Sequence, residues 1–305
     1  MVDKPFSVSI NPSYFCNFRC DFCYLTPEQL GDQKKIDLKK LDKLLSEVPK
    51  IDHIDLYGGE IGALKRSYYE DLIKTIRNWY SDTININTNF SMLDDRFFED
   101  GISLSVSYDF SAREKSNLVY NNMLMSPVPL SVLILASAEV VKMDVDYMIK
   151  QLNMCKSVKS VEIKPYSINQ ANAHLVTHRE FELFVSQWID SPIEKRFEFQ
   201  NLRRIERSVK KEYSAWSDDH IYITPNGKFA VLEFDQNDRE YFMELPSYNA
   251  FEQWAWREKR TLSTICQNCS WVGHCLTEHY RQVKDLKHSC NGYINLLTKY
   301  QHDFI

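Results

Sequence analysis

What this chain lacks narrows it first. No stretch of 18 or more apolar residues occurs in its 305 residues, so no membrane-spanning helix is expected. The opening Met1-Val2-Asp3-Lys4-Pro5 has none of the apolar core of a secretory signal. Positive charge is not in excess: 37 Lys and Arg face 42 Asp and Glu, a formal charge of −5. That argues against general binding to nucleic acid or to an anionic membrane. No internal repeat, low-complexity tract or long linker interrupts the chain. Cysteine is sparse, at eight residues, which is no secreted disulfide scaffold in a chain this long. Seven of the eight fall into two groups, the pattern of metal ligation in a reducing cytoplasm.

What is present is an ordinary globular balance, long enough for one large α/β domain or one domain with a sizeable appendage. Residues 6–11 alternate apolar and polar like a strand. Strand patterns recur at 53–57, 83–88, 102–107, 128–135 and 158–165. Between them, helical spacing marks 36–48 and 68–79, a short helix at 93–98, one near 114–123, and 146–154. Strands alternating with helices imply parallel βα units. Six strands are too few to close an eight-stranded barrel and suit an open, partial (β/α)6 barrel.

The first cysteine group is Cys16-Asn17-Phe18-Arg19-Cys20-Asp21-Phe22-Cys23, directly after the first strand. Three thiolates at this spacing suit three corners of an iron–sulfur cube and leave the fourth iron open. Zinc is the alternative, but it wants a fourth ligand, and the nearest histidine, His53, is about thirty residues away. Gly58-Gly59-Glu60 follows the second strand. Paired glycines let backbone approach a ligand closely, and a carboxylate suits an ammonium group. Both segments fall at carboxyl ends of strands, where parallel α/β sheets bind ligands.

The Cys-x3-Cys-x2-Cys spacing, with Phe22 before the last cysteine, resembles the radical S-adenosylmethionine (radical SAM) family. That resemblance implies a [4Fe–4S] cluster on Cys16, Cys20 and Cys23. Its open iron chelates SAM, whose one-electron cleavage gives a 5′-deoxyadenosyl radical that takes hydrogen from a substrate. It implies that Gly58, Gly59 and Glu60 receive the methionyl amino group, although Ile61 stands where the family often has proline. By the same resemblance Phe22 lies on the adenine side, and Asn89 and Ser107 sit at positions of polar contact to SAM. Turn and cap chemistry is the plain alternative for those two.

In the second half, 178–189 reads as a helix with an apolar stripe, and the basic run 203–211 as a solvated helix face. Residues 221–234 read as a hairpin about Pro225-Asn226-Gly227, and 248–257 as helical. Then come Cys266, Cys269, Cys275 and Cys290, four cysteines in 25 residues, enough for a closed site of zinc or iron–sulfur. Hairpin and cysteines together resemble the SPASM/twitch extension of radical SAM enzymes, which carries auxiliary clusters. The cysteines of one of its two clusters are missing: Leu232 and His279 occupy two of the slots, and 211–217 hold none. The resemblance thus implies one auxiliary [4Fe–4S] cluster, fully ligated, serving electron transfer or structure. Glu233, beside a vacated slot, is a candidate general base, with a surface carboxylate as the plain reading. Cys155 is a candidate hydrogen-atom donor, though a free cysteine is commonly a small buried hydrophobe.

The expected organisation is a core over 1–167, a bridge over 168–217 and an auxiliary domain over 218–305. The expected activity is hydrogen abstraction from a ribosomally made peptide or protein side chain, leading to a cross-link, epimerisation or oxidation. A dehydrogenase or epimerase of a sugar or amino acid is the alternative, and a non-catalytic metal-binding module a third. An electron donor such as flavodoxin or ferredoxin is implied. With the first strand at the very start, leader recognition falls to a separate protein or to the barrel itself.

Overall fold

The computed structural model describes residues 5–165, 176–215, 219–232, 242–258, 266–277, 290 and 292–304. The first strand, β1 (Phe6–Ile10), leads through the cysteine loop into a short helix α1 (Pro27–Gly31). Thr26 and Gln29 cap α1 reciprocally, with Pro27 in its first turn. The chain then alternates: α2 (Leu38–Glu47), β2 (Ile51–Leu56), α3 (Arg66–Arg77), β3 (Ile84–Thr88), β4 (Ile102–Ser107), α4 (Ser116–Met125), β5 (Leu130–Ala136), α5 (Val145–Met154) and β6 (Val158–Pro165). Strands β1 to β6 lie side by side in sequence order, all parallel. Asp37 and Asp144 accept backbone N–H groups at the starts of α2 and α5, so both helices begin where their apolar stripes do.

Between β3 and β4 the expected short helix is a single 3-10 turn, Asp95–Phe98, capped by Asp94. Beyond β6 come α6 (His178–Asp190), the two-residue strand β7 (Glu198–Phe199) and α7 (Gln200–Val209). The basic run does not form a wholly solvated face. Ile205, Ser208 and Val209 are buried, and the turn that buries them swings Arg204 toward Glu162 of β6.

The hairpin is β8 (His220–Ile223) and β9 (Phe229–Leu232), joined by a third antiparallel strand, β10 (Phe242–Leu245). Its first strand is hydrogen-bonded in parallel to β1, from Ser7 opposite His220 to Ile10 opposite Ile223. The outer edge of β1 would otherwise expose a row of unpaired N–H and C=O groups. Among the described residues the sheet is therefore continuous and open, in the order β10-β9-β8-β1-β2-β3-β4-β5-β6-β7.

Helices α8 (Tyr248–Glu258) and α9 (Ile294–Tyr300) complete the described elements. The end of the chain is tied to α6. Asn295 donates to Glu182 through its backbone (3.0 Å) and side chain (2.6 Å), and the Tyr300 hydroxyl donates to Asp190 at 2.8 Å. One buried apolar cluster runs from Val8 of β1 through Trp188 and Trp271 to Leu297 of α9.

Strand alternation here works in an inverted sense. Apolar residues such as Ile84, Ile86 and Val132 are fully buried and do not line the cavity. Their neighbours Ser7, Ser9, His53, Asp55, Asn85, Asn87, Ser103 and Ser105 face a polar lumen.

Candidate active site

A cavity of about 940 Å³ lies over the carboxyl ends of the parallel strands and reaches into that lumen. Cys16, Cys20 and Cys23 all line it. Backbone amides aim at two of the sulfurs: Phe18 N–H at Cys16 Sγ and Leu25 N–H at Cys23 Sγ, each at 3.4 Å. Side chains approach too, Asn89 Nδ2 at 3.8 Å from Cys16 Sγ and an Arg113 guanidinium nitrogen at 3.7 Å from Cys20 Sγ. Burial pushes all three thiols up, Cys23 to about 11. Alone they would stay protonated; a metal holds such sulfurs as thiolates.

Gly58 and Gly59 line the cavity as expected, and the packing behind them explains the glycines. A Cβ on Gly59 would stand 2.1 Å from the Phe15 carbonyl oxygen, and one on Gly58 2.8 Å from Asn11 Oδ1. The Gly59 and Glu60 amides donate to Ser13 and Phe15 carbonyls at 3.1 and 2.8 Å. The Gly-Gly loop is thus pressed against the segment that delivers Cys16.

Glu60 itself is 3% exposed and turns inward. Its Oε1 accepts from Gly62 N–H (2.9 Å) and the Thr88 hydroxyl (2.7 Å), and its Oε2 from Asn89 N–H (2.7 Å). Burial raises its pKa, against the pull of those donors. Asn89 lines the cavity, its side chain donating to Asn17 Oδ1 at 2.8 Å. Ser107 ends β4 on the cavity wall, and Phe22 is buried there beneath the Arg113 guanidinium, 5.3 Å from its ring centre.

Sequence reasoning missed Arg113 and Asp109. Arg113 Nε donates to Asp109 Oδ2 at 2.8 Å, and Asp109 Oδ1 takes the Leu135 N–H at 2.5 Å. Asp109 is completely buried. Their four-residue spacing was the available signal, but nothing local marks such a pair as buried. The lumen network was missed as well. Ser9 Oγ lies 2.8 Å from His220 Nε2, His53 pairs with Asp55 at 3.2 Å, and Asn85 donates to Asp55 at 2.6 Å. Burial lowers His220 to about 4, so it is neutral near pH 7. The hydrogen bond to Asp55 raises His53. His53 is thereby engaged in the lumen rather than beside the cysteines.

In the second cysteine group, Cys275 and Cys290 are brought together at Gly292. A Cβ on Gly292 would stand 3.2 Å from Cys275 Sγ and 3.4 Å from Cys290 Sγ. Burial takes the Cys275 thiol to about 11, with Cys290, Cys266 and Cys269 close enough to add to the rise. Leu276 and Tyr293, beside these cysteines, line the main cavity. Of the two candidates for base and hydrogen donor, Glu233 lies outside the described residues, as does His279. Cys155 is buried at the end of α5 and does not line the cavity.

Among the described residues, no three His, Cys, Asp or Glu side chains converge on a site for one metal ion. Nor is any helix among them long and apolar enough to cross a membrane.

No family model matches this sequence, and no curated protein matches it. Solved structures do. The chain is similar to native anSMEcpe with bound AdoMet and the Cp18Cys peptide, at 14% identity and a TM-score of 0.71, covering 99% of this chain and 96% of that one. Native anSMEcpe with bound AdoMet gives 14% and 0.72, over 98% and 97%. Streptococcus suis SuiB bound to the precursor peptide SuiA gives 14% and 0.63, over 90% and 71%. At such identities the likeness shows the fold alone: this chain shares the mostly parallel α/β partial-barrel fold of these solved structures.

Proposed function

We propose that this chain is a radical SAM enzyme whose substrate is a peptide or protein side chain. The observation that carries the reading is one cavity, at the carboxyl ends of adjacent parallel strands, lined by Cys16, Cys20, Cys23, Gly58, Gly59, Asn89 and Ser107. Its donor set fits an iron–sulfur cluster. The cysteines are half-buried, two sulfurs receive amide N–H groups, and Arg113 sets a positive charge beside Cys20. Hydrogen bonds to cluster sulfurs and nearby charge tune such centres.

When bound, the cluster and SAM supply a one-electron cleavage that ends in hydrogen abstraction from substrate. The chain's own residues hold, orient and shield. Cys16, Cys20 and Cys23 hold the cluster. The Gly58-Gly59 backbone and Asn89 are the polar groups offered to SAM's methionyl end, and Glu60 acts by fixing that loop and the Asn89 backbone. Ser107 and Phe22 border the remainder of the cofactor. We further assign Cys266, Cys269, Cys275 and Cys290 to one auxiliary [4Fe–4S] cluster serving electron transfer or structure, and a donor such as flavodoxin or ferredoxin as the enzyme's source of electrons. Residues 1–167, 168–217 and 218–305 are read as core, bridge and auxiliary domain. The peptide assignment is supported by solved structures of the same fold that contain peptides.

Anaerobic reconstitution with iron and sulfide, then SAM and dithionite, tests the reading. 5′-Deoxyadenosine should exceed a Cys20→Ala control by a hundredfold or more. Equal amounts from both would sink it.

A further inference from the structure

Beneath the Gly58-Gly59 loop lies a polar side chain with no part in the chemistry above. Asn11 continues the row of Ser7 and Ser9 just past the end of β1, and its N–H donates to the Ile223 carbonyl at 2.8 Å. Ser7 and Ser9 line the cavity, whereas Asn11 does not and is 0% exposed. Gly58 covers it: a Cβ on Gly58 would stand 2.8 Å from Asn11 Oδ1 and 3.5 Å from Asn11 Cγ. Neither Oδ1 nor Nδ2 of Asn11 has a hydrogen-bond partner among the described residues. Burying an amide with both ends unpaired is unfavourable, and folded chains rarely do it without a use for the group.

The loop above carries the matching group. The Tyr57, Gly59 and Glu60 N–H groups are taken by the Ile10, Ser13 and Phe15 carbonyls, at 2.9, 3.1 and 2.8 Å. Among the described residues nothing accepts the Gly58 N–H. An N–H without an acceptor therefore lies beside an amide oxygen without a donor. Gly58 sits at φ +145°, a conformation open to glycine, so the Tyr57–Gly58 peptide can turn with no side chain in the way. In a trans peptide the N–H and the C=O point in opposite directions. Gly58 borders the cavity on one side and meets the buried Asn11 on the other. Turning its N–H onto Asn11 thus turns the Tyr57 carbonyl toward the cavity, where it is an acceptor for an ammonium group.

We propose that Asn11 is a positioning residue for the Gly58-Gly59 loop: its side-chain oxygen accepts the Gly58 N–H when an ammonium-bearing ligand binds, and so holds a backbone carbonyl on that ligand. That the ligand is SAM rests on the reading above; the pairing of Asn11 with Gly58 does not.

The test compares the reconstituted native chain with Asn11→Leu, a replacement of similar size that cannot accept a hydrogen bond, with and without SAM. Hydrogen exchange read by mass spectrometry follows the segment Tyr57 to Glu60, and equilibrium binding gives the SAM dissociation constant. In the native chain SAM should slow exchange of one amide in that segment by roughly tenfold or more, the other three being hydrogen-bonded throughout. Asn11→Leu should lose that protection and bind SAM roughly tenfold more weakly, the worth of one hydrogen bond. A merely structural role would leave the amide's response to SAM in place. Asn11→Ala removes the same group with less bulk; it should show the same two losses and serves where leucine prevents folding. Native protection or native affinity in a folded variant overturns the proposal, as does a native segment already fully protected before SAM is added. Failure of the native chain to bind SAM would sink the radical SAM reading instead. Methionine, which carries the same ammonium group, then becomes the probe, and no change in exchange with methionine would overturn the role of Asn11 as well.

Discussion

Glu60 receives the backbone N–H of Asn89 at 2.7 Å, joining the loop after β2 to the loop after β3. With Thr88 and Gly62 on its other oxygen, the carboxylate is the knot that ties two walls of the cavity together. Glu60→Ala leaves three buried donors without a partner. At about 1–3 kcal/mol for each unsatisfied group, the loss should reach about 3 kcal/mol or more. Thermal unfolding should drop by several degrees, and SAM affinity should fall with it. An unchanged melting temperature would contradict the arrangement.

Gly59 and Gly31 make a matched pair. A Cβ at Gly59 meets backbone at 2.1 Å, whereas one at Gly31, ending α1, meets nothing within 4 Å. Gly59→Ala must push the Cys16 segment away and should prevent cluster assembly, read as loss of the visible absorption of the reconstituted protein. Gly31→Ala should assemble normally, with stability unchanged or higher by roughly 0.5–1 kcal/mol.

Iron content separates the two cysteine groups. Each [4Fe–4S] cluster has four irons, so Cys269→Ala should bind about half the iron of the native chain and keep a SAM-responsive electron paramagnetic resonance signal. Cys23→Ala should also lose about half, but with it the response to SAM. If both variants keep full iron, the assignment of the sites is wrong.

His220 carries a pH signature. Its native pKa, about 4, lies below the ordinary 6.5 because burial opposes the charged form. Between those values the unfolded chain binds a proton that the native chain refuses. Stability therefore holds above pH 6.5 and falls as pH drops toward 4, by an amount on the order of 3 kcal/mol. His220→Gln should flatten that limb of the denaturant midpoint against pH. An identical slope in both proteins would mean that another group is responsible.

The cysteine spacing, the Gly-Gly-Glu turn and the strand–helix alternation were legible because each is written over a few consecutive residues. The helices over 36–48 and 146–154 were legible from their apolar spacing, but the caps Asp37 and Asp144 that start them, and the short helix behind Thr26, were not read. The features that could not be read are long-range. Ser9 and His220 meet across 211 positions, and Glu162 and Arg204 across 42. No local pattern tells that β8 pairs with β1, or that one arginine of a basic run faces a carboxylate. The lumen was hidden for another reason. A polar residue at every second position reads equally as facing water outside or a site inside, and only the helix layer decides between them.

The pairing of β8 with β1 also orders events during synthesis. At about 5–20 residues per second, the 211 positions between Ser9 and His220 take about 10–40 s to make. Throughout that interval β1 has β2 on one side and an open edge on the other. The edge beside the first cysteine loop is thus the last part of the barrel to be sealed. Whatever the loop of Cys16, Cys20 and Cys23 binds therefore meets an unsealed edge until β8 arrives.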